Sequence, residues 1–208
     1  MIDEITQLFQ DKQVVEKIKV KLPYLFQLAE LECSRAGKVG MEVGSVREKI
    51  ITALLIYKFG EQNVISEIPI TEAEMDVQLF RKPVSIKTIT GKIGVKLSWT
   101  VDAQKAIEFS KKYNPSCDMV LIQINWNNGG GFFYIPKEIQ VEILQTMGRE
   151  NYIKLPKPNT NPRGIEMSGD ALNLLLNHTN TLRIIIDWKK EKIDFKPFAR
   201  WVELWQMD

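Results

Sequence analysis

The stretch of sequence that decides the fold is residues 74–87, which read EMDVQLFRKPVSIK. Residues 75–80 and 84–90 are short runs rich in branched apolar side chains, a composition typical of strands. Arg81 and Lys82 lie between the two runs and supply a short polar turn. We therefore predict an antiparallel β-hairpin at this point of the chain.

The predicted hairpin has one apolar face and one polar face. With the turn at Arg81 and Lys82, Asp76 lies opposite Lys87, and Gln78 lies opposite Ser85. Side chains alternate along a strand, so these four share one face. The face then carries a carboxylate beside an ammonium group. The alternative is a cross-strand ion pair on a surface that only faces solvent.

The segment before the hairpin adds a second carboxylate. Residues 45–59 form a predicted helix that Gly60 ends. Glu48 precedes Leu55 by seven residues, and at ~100° per residue the two side chains point almost the same way. Glu48 should therefore lie on the helix face that packs on the sheet. The alternative is a capping box, in which Glu48 bonds back to the amide of Ser45.

Glu48, Asp76 and Lys87 together make a candidate catalytic site. Two carboxylates can hold Mg²⁺, which prefers oxygen ligands, and the carbonyl of Ile86 offers a third oxygen. We expect Asp76, Glu48 and Ile86 to be the metal ligands. Lys87 can orient or deprotonate a water molecule and offset phosphate charge. The reaction that this set suits is phosphodiester hydrolysis.

This order of residues resembles the PD-(D/E)xK nuclease superfamily. Asp76 and Lys87 match the superfamily's Asp and Lys, while Ser85 stands where an acid is usual, so Glu48 takes over that carboxylate. Two other D-x-K matches, Asp187–Lys189 and Asp194–Lys196, are set aside because neither follows a hairpin strand bearing a suitable Asp.

Residues 43–90 and the overall order also resemble the ThaI family of type II restriction endonucleases. That resemblance implies a homodimer that cuts both strands of a short palindrome, CGCG, with Mg²⁺. A two-fold dimer reading a two-fold site agrees with the symmetry of double-stranded DNA. Two alternatives remain: a repair or junction-resolving nuclease on the same fold, and a DNA-binding module with an inactive site.

The rest of the chain predicts an α/β fold, a mixed central β-sheet flanked by helices. The resemblance implies a restriction-endonuclease-like core within a single domain, residues 1–208. A helical segment, residues 1–37, is expected to break at Pro23, to end at Gly37 and to pack on a catalytic core, residues 45–135. A C-terminal segment, residues 150–208, is expected to serve DNA contact or dimerisation.

Several polar and basic residues are candidate DNA contacts. They are Arg35, Lys38, Ser85, Lys92, Lys96, Asn125 and Arg163. Arg163 suits a guanine edge, where Arg makes the commonest specific contact. For the lysines, a solvated surface is the alternative. For Asn125 the stronger alternative is the turn that precedes three glycines, because Asn and Gly favour turns.

Met41 is a candidate DNA wedge. It lies in the glycine-rich loop 37–44 and precedes Glu48 by seven residues. A flexible apolar side chain can enter a base step, and pyrimidine–purine steps unstack easily. The hypothesis is insertion at a CG step. The alternative is that Met41 folds back onto the core.

Composition narrows the classes of protein. Among 208 residues, apolar types make up 44% and charged types 26%, and the net charge is only +2, which is typical of a globular domain. No apolar run approaches the ~18 residues of a membrane span, so no membrane partner is expected. Two cysteines and one histidine argue against a disulfide framework or a multi-histidine metal site and fit a reducing cytoplasm. No nucleotide cofactor is expected, because Gly129–Gly131 lacks the Lys-Ser/Thr of a phosphate-binding loop.

Overall fold

The computed structural model describes residues 4–69, 74–91, 94–100, 102–156 and 164–207. The helices are α1 (Thr6–Gln10), α2 (Lys12–Glu32), α3 (Val43–Phe59), α4 (Ala103–Lys112), α5 (Lys137–Met147), α6 (Arg149–Tyr152), α7 (Gly169–Asn177) and α8 (Ala199–Gln206). The strands are β1 (Ser34–Arg35), β2 (Lys38–Val39), β3 (Val64–Ile65), β4 (Val77–Leu79), β5 (Lys82–Thr90), β6 (Lys96–Ser98), β7 (Asp118–Ile124), β8 (Asn128–Ile135), β9 (Ile153–Lys154), β10 (Ile165–Met167) and β11 (Leu182–Trp188).

A six-stranded mixed sheet forms the centre of the molecule, in the order β11-β8-β7-β5-β4-β3. Strands β5 and β7 are parallel, and the other neighbouring pairs are antiparallel. Side chains of β7 alternate between two apolar cores: Val120 and Ile122 face α1–α3, while Met119 and Leu121 face α5–α7. The predicted α/β class, a mixed sheet flanked by helices, is confirmed.

The N-terminal helices divide at Asp11 and not at Pro23. The side chain of Asp11 accepts hydrogen bonds from the amides of Gln13 and Val14 at 3.0 and 3.2 Å and thereby caps α2. Pro23 lies inside a continuous helix. Its missing N–H costs one helical hydrogen bond. Burial of Leu22, Pro23 and Phe26 on the sheet outweighs that loss, because tertiary packing supplies most helix stability.

The glycine-rich segment before α3 is partly a hairpin, which the sequence did not predict. Helix α2 ends at Glu32, five residues before Gly37, and β1 pairs with β2. Ala36 and Gly37 form the turn with φ of 50° and 76°. Helix α3 begins at Val43, two residues before Ser45, and has no side-chain hydrogen bond at its cap. The capping box of Ser45 and Glu48 therefore does not form.

A small sheet of order β6-β10-β9 was also not predicted. Its strands have two or three residues each, too few for a periodic signal. The sequence also predicts a turn over residues 127–131, but Gly129–Gly131 lie inside β8, because the turn occupies residues 125–128 and the strand starts at Asn128. Gly130 is pressed between strands: a Cβ there would lie 2.2 Å from the Gln123 carbonyl oxygen.

Within the described residues, none of the helices combines the length and the apolar character that crossing a membrane requires.

Candidate active site

The β4–β5 hairpin turns one residue earlier than predicted. Phe80 and Arg81 have φ of 49° and 66°, the left-handed geometry of a tight hairpin turn, and Val77 pairs with Val84. Moving the turn by one residue moves the pairing by two. Because side chains alternate with a period of two, Asp76 still shares a face with Ser85 and Lys87.

The carboxylate of Asp76 is fixed by three donors from β5. Its Oδ2 accepts hydrogen bonds from Ser85 Oγ at 3.2 Å, from the amide of Ile86 at 2.6 Å and from Lys87 Nζ at 3.1 Å. The amide of Asp76 donates to the carbonyl of Val84 at 3.0 Å. Asp76 and Lys87 remain 21% and 25% exposed at their side chains, so the pair is held in place and still accessible.

Glu48 on α3 faces the carboxylate of Asp76. Ile51 and Leu55, on its side of the helix, are fully buried in the core. Glu48 and Asp76 line one cleft of about 430 Å³ between α3 and the hairpin. Burial raises the pKa of the Glu48 carboxyl to about 7, and the charge and hydrogen bond of Asp76 add to the rise, while Lys87 opposes it. The structure thus brings Glu48, Asp76 and Lys87 together.

This donor set fits a divalent cation. Two carboxylates that share a cleft repel each other when both are charged, and after burial this repulsion is the next cause of the raised pKa of Glu48. A cation between them relieves that repulsion. Among the described residues, no group of three or more His, Cys, Asp or Glu side chains is placed to hold a metal ion. A metal bound here would therefore need further oxygens from backbone, water or substrate, as Mg²⁺ commonly does.

Glu74 anchors the start of β4 and was missed from the sequence. Its carboxylate accepts hydrogen bonds from the amide of Ser116, at 2.9 Å, and from the Ser116 hydroxyl. The contact ties the residues just before Asp76 to the segment that enters β7. The sequence signal was that residues 61–76 contain five acidic residues and no Lys or Arg, and this pattern does not specify a partner.

A buried ion pair next to Glu48 was also missed. Arg47 donates to Glu30 at 2.5 Å and to Thr90 at 3.1 Å, so α3 is joined to α2 and to the end of β5. Glu30 also accepts from Trp126 Nε1 at 2.7 Å and from Lys190 Nζ at 3.1 Å. The available signal was the spacing of Arg47 with Ile51 and Leu55, which places an arginine in the buried stripe of α3.

Comparison with known proteins agrees with this geometry. The family model described as restriction endonuclease ThaI matches residues 8–207. The chain belongs to the ThaI family of restriction endonucleases. A solved structure described as a restriction endonuclease in complex with substrate DNA is 55% identical, with a TM-score of 0.92 over 98% of this chain and 99% of that one. A search of the curated proteins found no match to this chain. As a ThaI-family member, the chain is a site-specific endonuclease.

Three of the predicted DNA contacts of this ThaI-family chain lie on or next to the hairpin that precedes α3. Arg35 and Lys38 are exposed on the β1–β2 hairpin. Met41, just beyond it, is 79% exposed. The alternative in which Met41 folds back onto the core is therefore wrong.

Other predicted DNA contacts of this ThaI-family chain have different surroundings. Ser85 is buried, and its hydroxyl donates to Asp76, so its role is to hold that carboxylate and not to meet DNA. Asn125 donates to the carbonyl of Gly129 at 2.7 Å, which favours the turn alternative. Lys96 lies over the exposed ring of Trp99, 3.6 Å from its centre. Lys92 and Arg163 lie outside the described residues.

Proposed function

We propose that this protein is a Mg²⁺-dependent type II restriction endonuclease of the PD-(D/E)xK kind, acting as a homodimer on a short palindrome, CGCG by family resemblance. The observation that carries the proposal is the shared cleft of Glu48 and Asp76 with Lys87 bonded to Asp76. Family membership supports it, since the matching model covers residues 8–207.

Asp76, Glu48 and the carbonyl of Ile86 are the proposed metal ligands. The amide of Ile86 already donates to Asp76. The two backbone groups of one strand residue point to the same edge of the strand, so the Ile86 carbonyl lies on the side of Asp76. Mg²⁺ held there would lower the pKa of the attacking water and offset the charge that develops on the phosphate.

Lys87 is the proposed partner of the attacking water. Its ammonium group lies 3.1 Å from Asp76 Oδ2, and its side chain is 25% exposed. An ammonium group has three N–H donors. One of them bonds to Asp76, so the other two can donate to a water molecule and to a phosphate oxygen. Ser85 and the Ile86 amide keep Asp76 in place while Lys87 does so.

The surface around the cleft supports the approach of DNA. The 55% identical structure is of an endonuclease in complex with substrate DNA. Arg35 and Lys38 lie on the hairpin that leads into α3. On the other side of β4, Lys105 and Lys112 line a cavity of about 860 Å³. Glu74 and Glu108 also line that cavity. Exposed basic groups of this kind are the ones that bind a phosphate backbone.

A plasmid digest with Mg²⁺ tests the function. We expect discrete fragments from the native chain and intact plasmid from Lys87→Ala, which should still shift DNA in a gel. The matched control is Lys189→Ala, which removes an exposed ion pair of the same D-x-K form, Asp187 to Lys189 at 2.7 Å, and should cut normally. Intact plasmid with the native chain would contradict catalysis.

The same digest separates site recognition from structure recognition. A plasmid without CGCG should stay intact, and a branched four-way junction should not be preferred over linear duplex. Preferential cutting of the junction would overturn the restriction proposal in favour of a junction-resolving nuclease.

A further inference from the structure

The C-terminal arm, residues 196–207, lies on the outside of the molecule. Every residue from 196 to 207 is exposed, and this stretch includes all of α8. Its large apolar side chains are highly exposed: Phe198 72%, Trp201 56%, Val202 50% and Trp205 90%. Their spacing of three and four residues places them on one stripe of α8. Monomeric proteins rarely leave such a stripe in water, so the arm has the character of an interface.

The arm leaves the body at a defined point. The side-chain amide of Gln27 on α2 donates to the carbonyl of Glu191 at 2.6 Å and accepts from its backbone amide at 2.9 Å. Lys190 bonds to Glu30 at 3.1 Å. The chain is therefore attached to α2 at Glu191, with four residues between this point and the arm.

An apolar groove of about 370 Å³ runs between α2 and α3. It is lined mainly by apolar side chains, Ile18, Leu22, Leu25, Ile50, Leu54 and Tyr57, with Lys17 and Lys21 beside them. The chain's own arm does not occupy this groove, because all arm residues are exposed.

We propose that the arm of one chain docks in the α2–α3 groove of a second copy, and that the exchange is reciprocal. One patch then serves both partners, as two-fold symmetry requires. The basic rim suits the arm as well, since Lys17 already lies over the ring of Tyr57 at 4.7 Å and the indole rings of Trp201 and Trp205 offer further such faces. The inference rests on the proposed function for its two-fold symmetry.

The available area agrees with a stable dimer. An aromatic side chain buries 150–250 Å² or so, and Phe198, Trp201 and Trp205 of two copies together cover roughly 900–1,500 Å². Specific interfaces bury about 1,200–2,000 Å² in total. The groove walls and Val202 supply the remaining area.

Oligomeric state in the absence of DNA is the first test, measured by light scattering or sedimentation. We expect the native chain to have twice the mass of one copy, and Trp201→Glu/Trp205→Glu to have the mass of one. The matched control, Leu174→Glu, changes an apolar residue of α7 that is 49% exposed and should remain dimeric. A monomeric native chain, or a dimeric double variant, would overturn the proposal.

Cross-linking between two different copies locates the contact. A size-tagged chain with Gln206→Cys is mixed with an untagged chain with Lys21→Cys and treated with a bismaleimide. The native Cys33 and Cys117 are buried and should not react. We expect a product that contains one chain of each size. Asn173→Cys, on α7, replaces Lys21→Cys as the control and should give none. Absence of the mixed product, or only internal cross-links in a chain that carries both cysteines, would overturn arm exchange.

Cleavage is measured separately, so failure of the function and failure of the interface remain distinct. If the arm exchanges but the native chain leaves plasmid intact, the nuclease proposal fails and the interface stands. If plasmid is cut while mixed cross-links are absent, the interface fails alone. With both correct, the monomeric double variant shifts from linear to nicked plasmid, because each copy then cuts one strand.

Discussion

Among the three candidate catalytic residues, Glu48 is the one whose pKa the fold shifts. Burial and the nearby carboxylate of Asp76 raise its pKa from 4.5 to about 7. A helix residue with an ordinary acid side chain thereby becomes a group that is half protonated near neutral pH in the absence of metal. A bound cation would reverse this, since a carboxylate must lose its proton to ligate a metal.

Stability in the presence of a chelator should depend on Glu48. Between pH 4.5 and about 7 the folded chain holds a proton on Glu48 that the unfolded chain releases. The free energy of unfolding therefore falls as pH rises through this range. Urea denaturation at several pH values measures the slope, which Glu48→Gln should reduce. An unchanged slope in the variant would contradict the raised pKa.

Met41 is the second residue whose environment decides its role. Because its side chain is 79% exposed, Met41→Ala should leave the melting temperature unchanged. We expect weaker binding to a CGCG duplex, by about tenfold or ~1.4 kcal/mol, in a gel shift without Mg²⁺. Val39→Ala, 46% exposed on the same hairpin, is the control and should bind normally. Equal affinity of the Met41 variant and the native chain would remove the wedge hypothesis.

At the scale of elements, α3 is placed by the ion pair of Arg47 and Glu30. Both side chains are almost fully buried, 6% and 9% exposed. Without Arg47, Glu30 would keep Lys190 and Trp126 as partners but would lose the buried cation that offsets its desolvation. Arg47→Met should lower the free energy of unfolding by about 3 kcal/mol. The control is Lys19→Met in the exposed pair with Glu16, which should cost less than ~1 kcal/mol. Similar losses in both variants, measured in urea, would contradict the role of burial.

Strand β8 shows a second constraint at this scale. A Cβ on Gly130 would lie 2.2 Å from the Gln123 carbonyl oxygen and 2.6 Å from the Trp188 ring nitrogen, whereas a Cβ on Gly129 meets nothing within 4 Å. Gly130→Ala should therefore lower the free energy of unfolding by about 1–3 kcal/mol. Gly129→Ala should leave it nearly unchanged. Thermal unfolding of both variants checks this, and equal stability would show that β8 can move away.

At the scale of the whole molecule, the proposed metal links the two carboxylates and so joins α3 to the sheet. A ligand that binds only the folded state stabilises it, by about 2.7 kcal/mol at one hundred times its dissociation constant. Mg²⁺ without DNA should raise the melting temperature of the native chain and not that of Asp76→Asn. Asp187→Asn, on an exposed carboxylate, should still respond. Equal shifts in all three chains would indicate non-specific ion effects.

Local patterns were enough to predict the α/β class, the hairpin faces, helix α3 and the set Glu48, Asp76 and Lys87. They sufficed to place Asp76 and Lys87 on one hairpin face and Glu48 on the inner side of α3, because alternation along a strand and the turn of a helix are local rules. Even the misplaced turn kept Asp76 and Lys87 on one face, since the pairing moved by two residues.

Tertiary structure decided the features that depend on contacts between segments distant in sequence. Pro23 remains inside α2 because packing outweighs a lost hydrogen bond. At position 130 of strand β8 only glycine fits, because the Trp188 ring leaves no room for a side chain. Ser85, an apparent surface serine, became a donor to Asp76. The pKa of Glu48 and the pairing of Arg47 with Glu30 depend on burial and on neighbours distant in sequence. Those quantities arise only when separate segments meet, which is why the residues alone did not predict them.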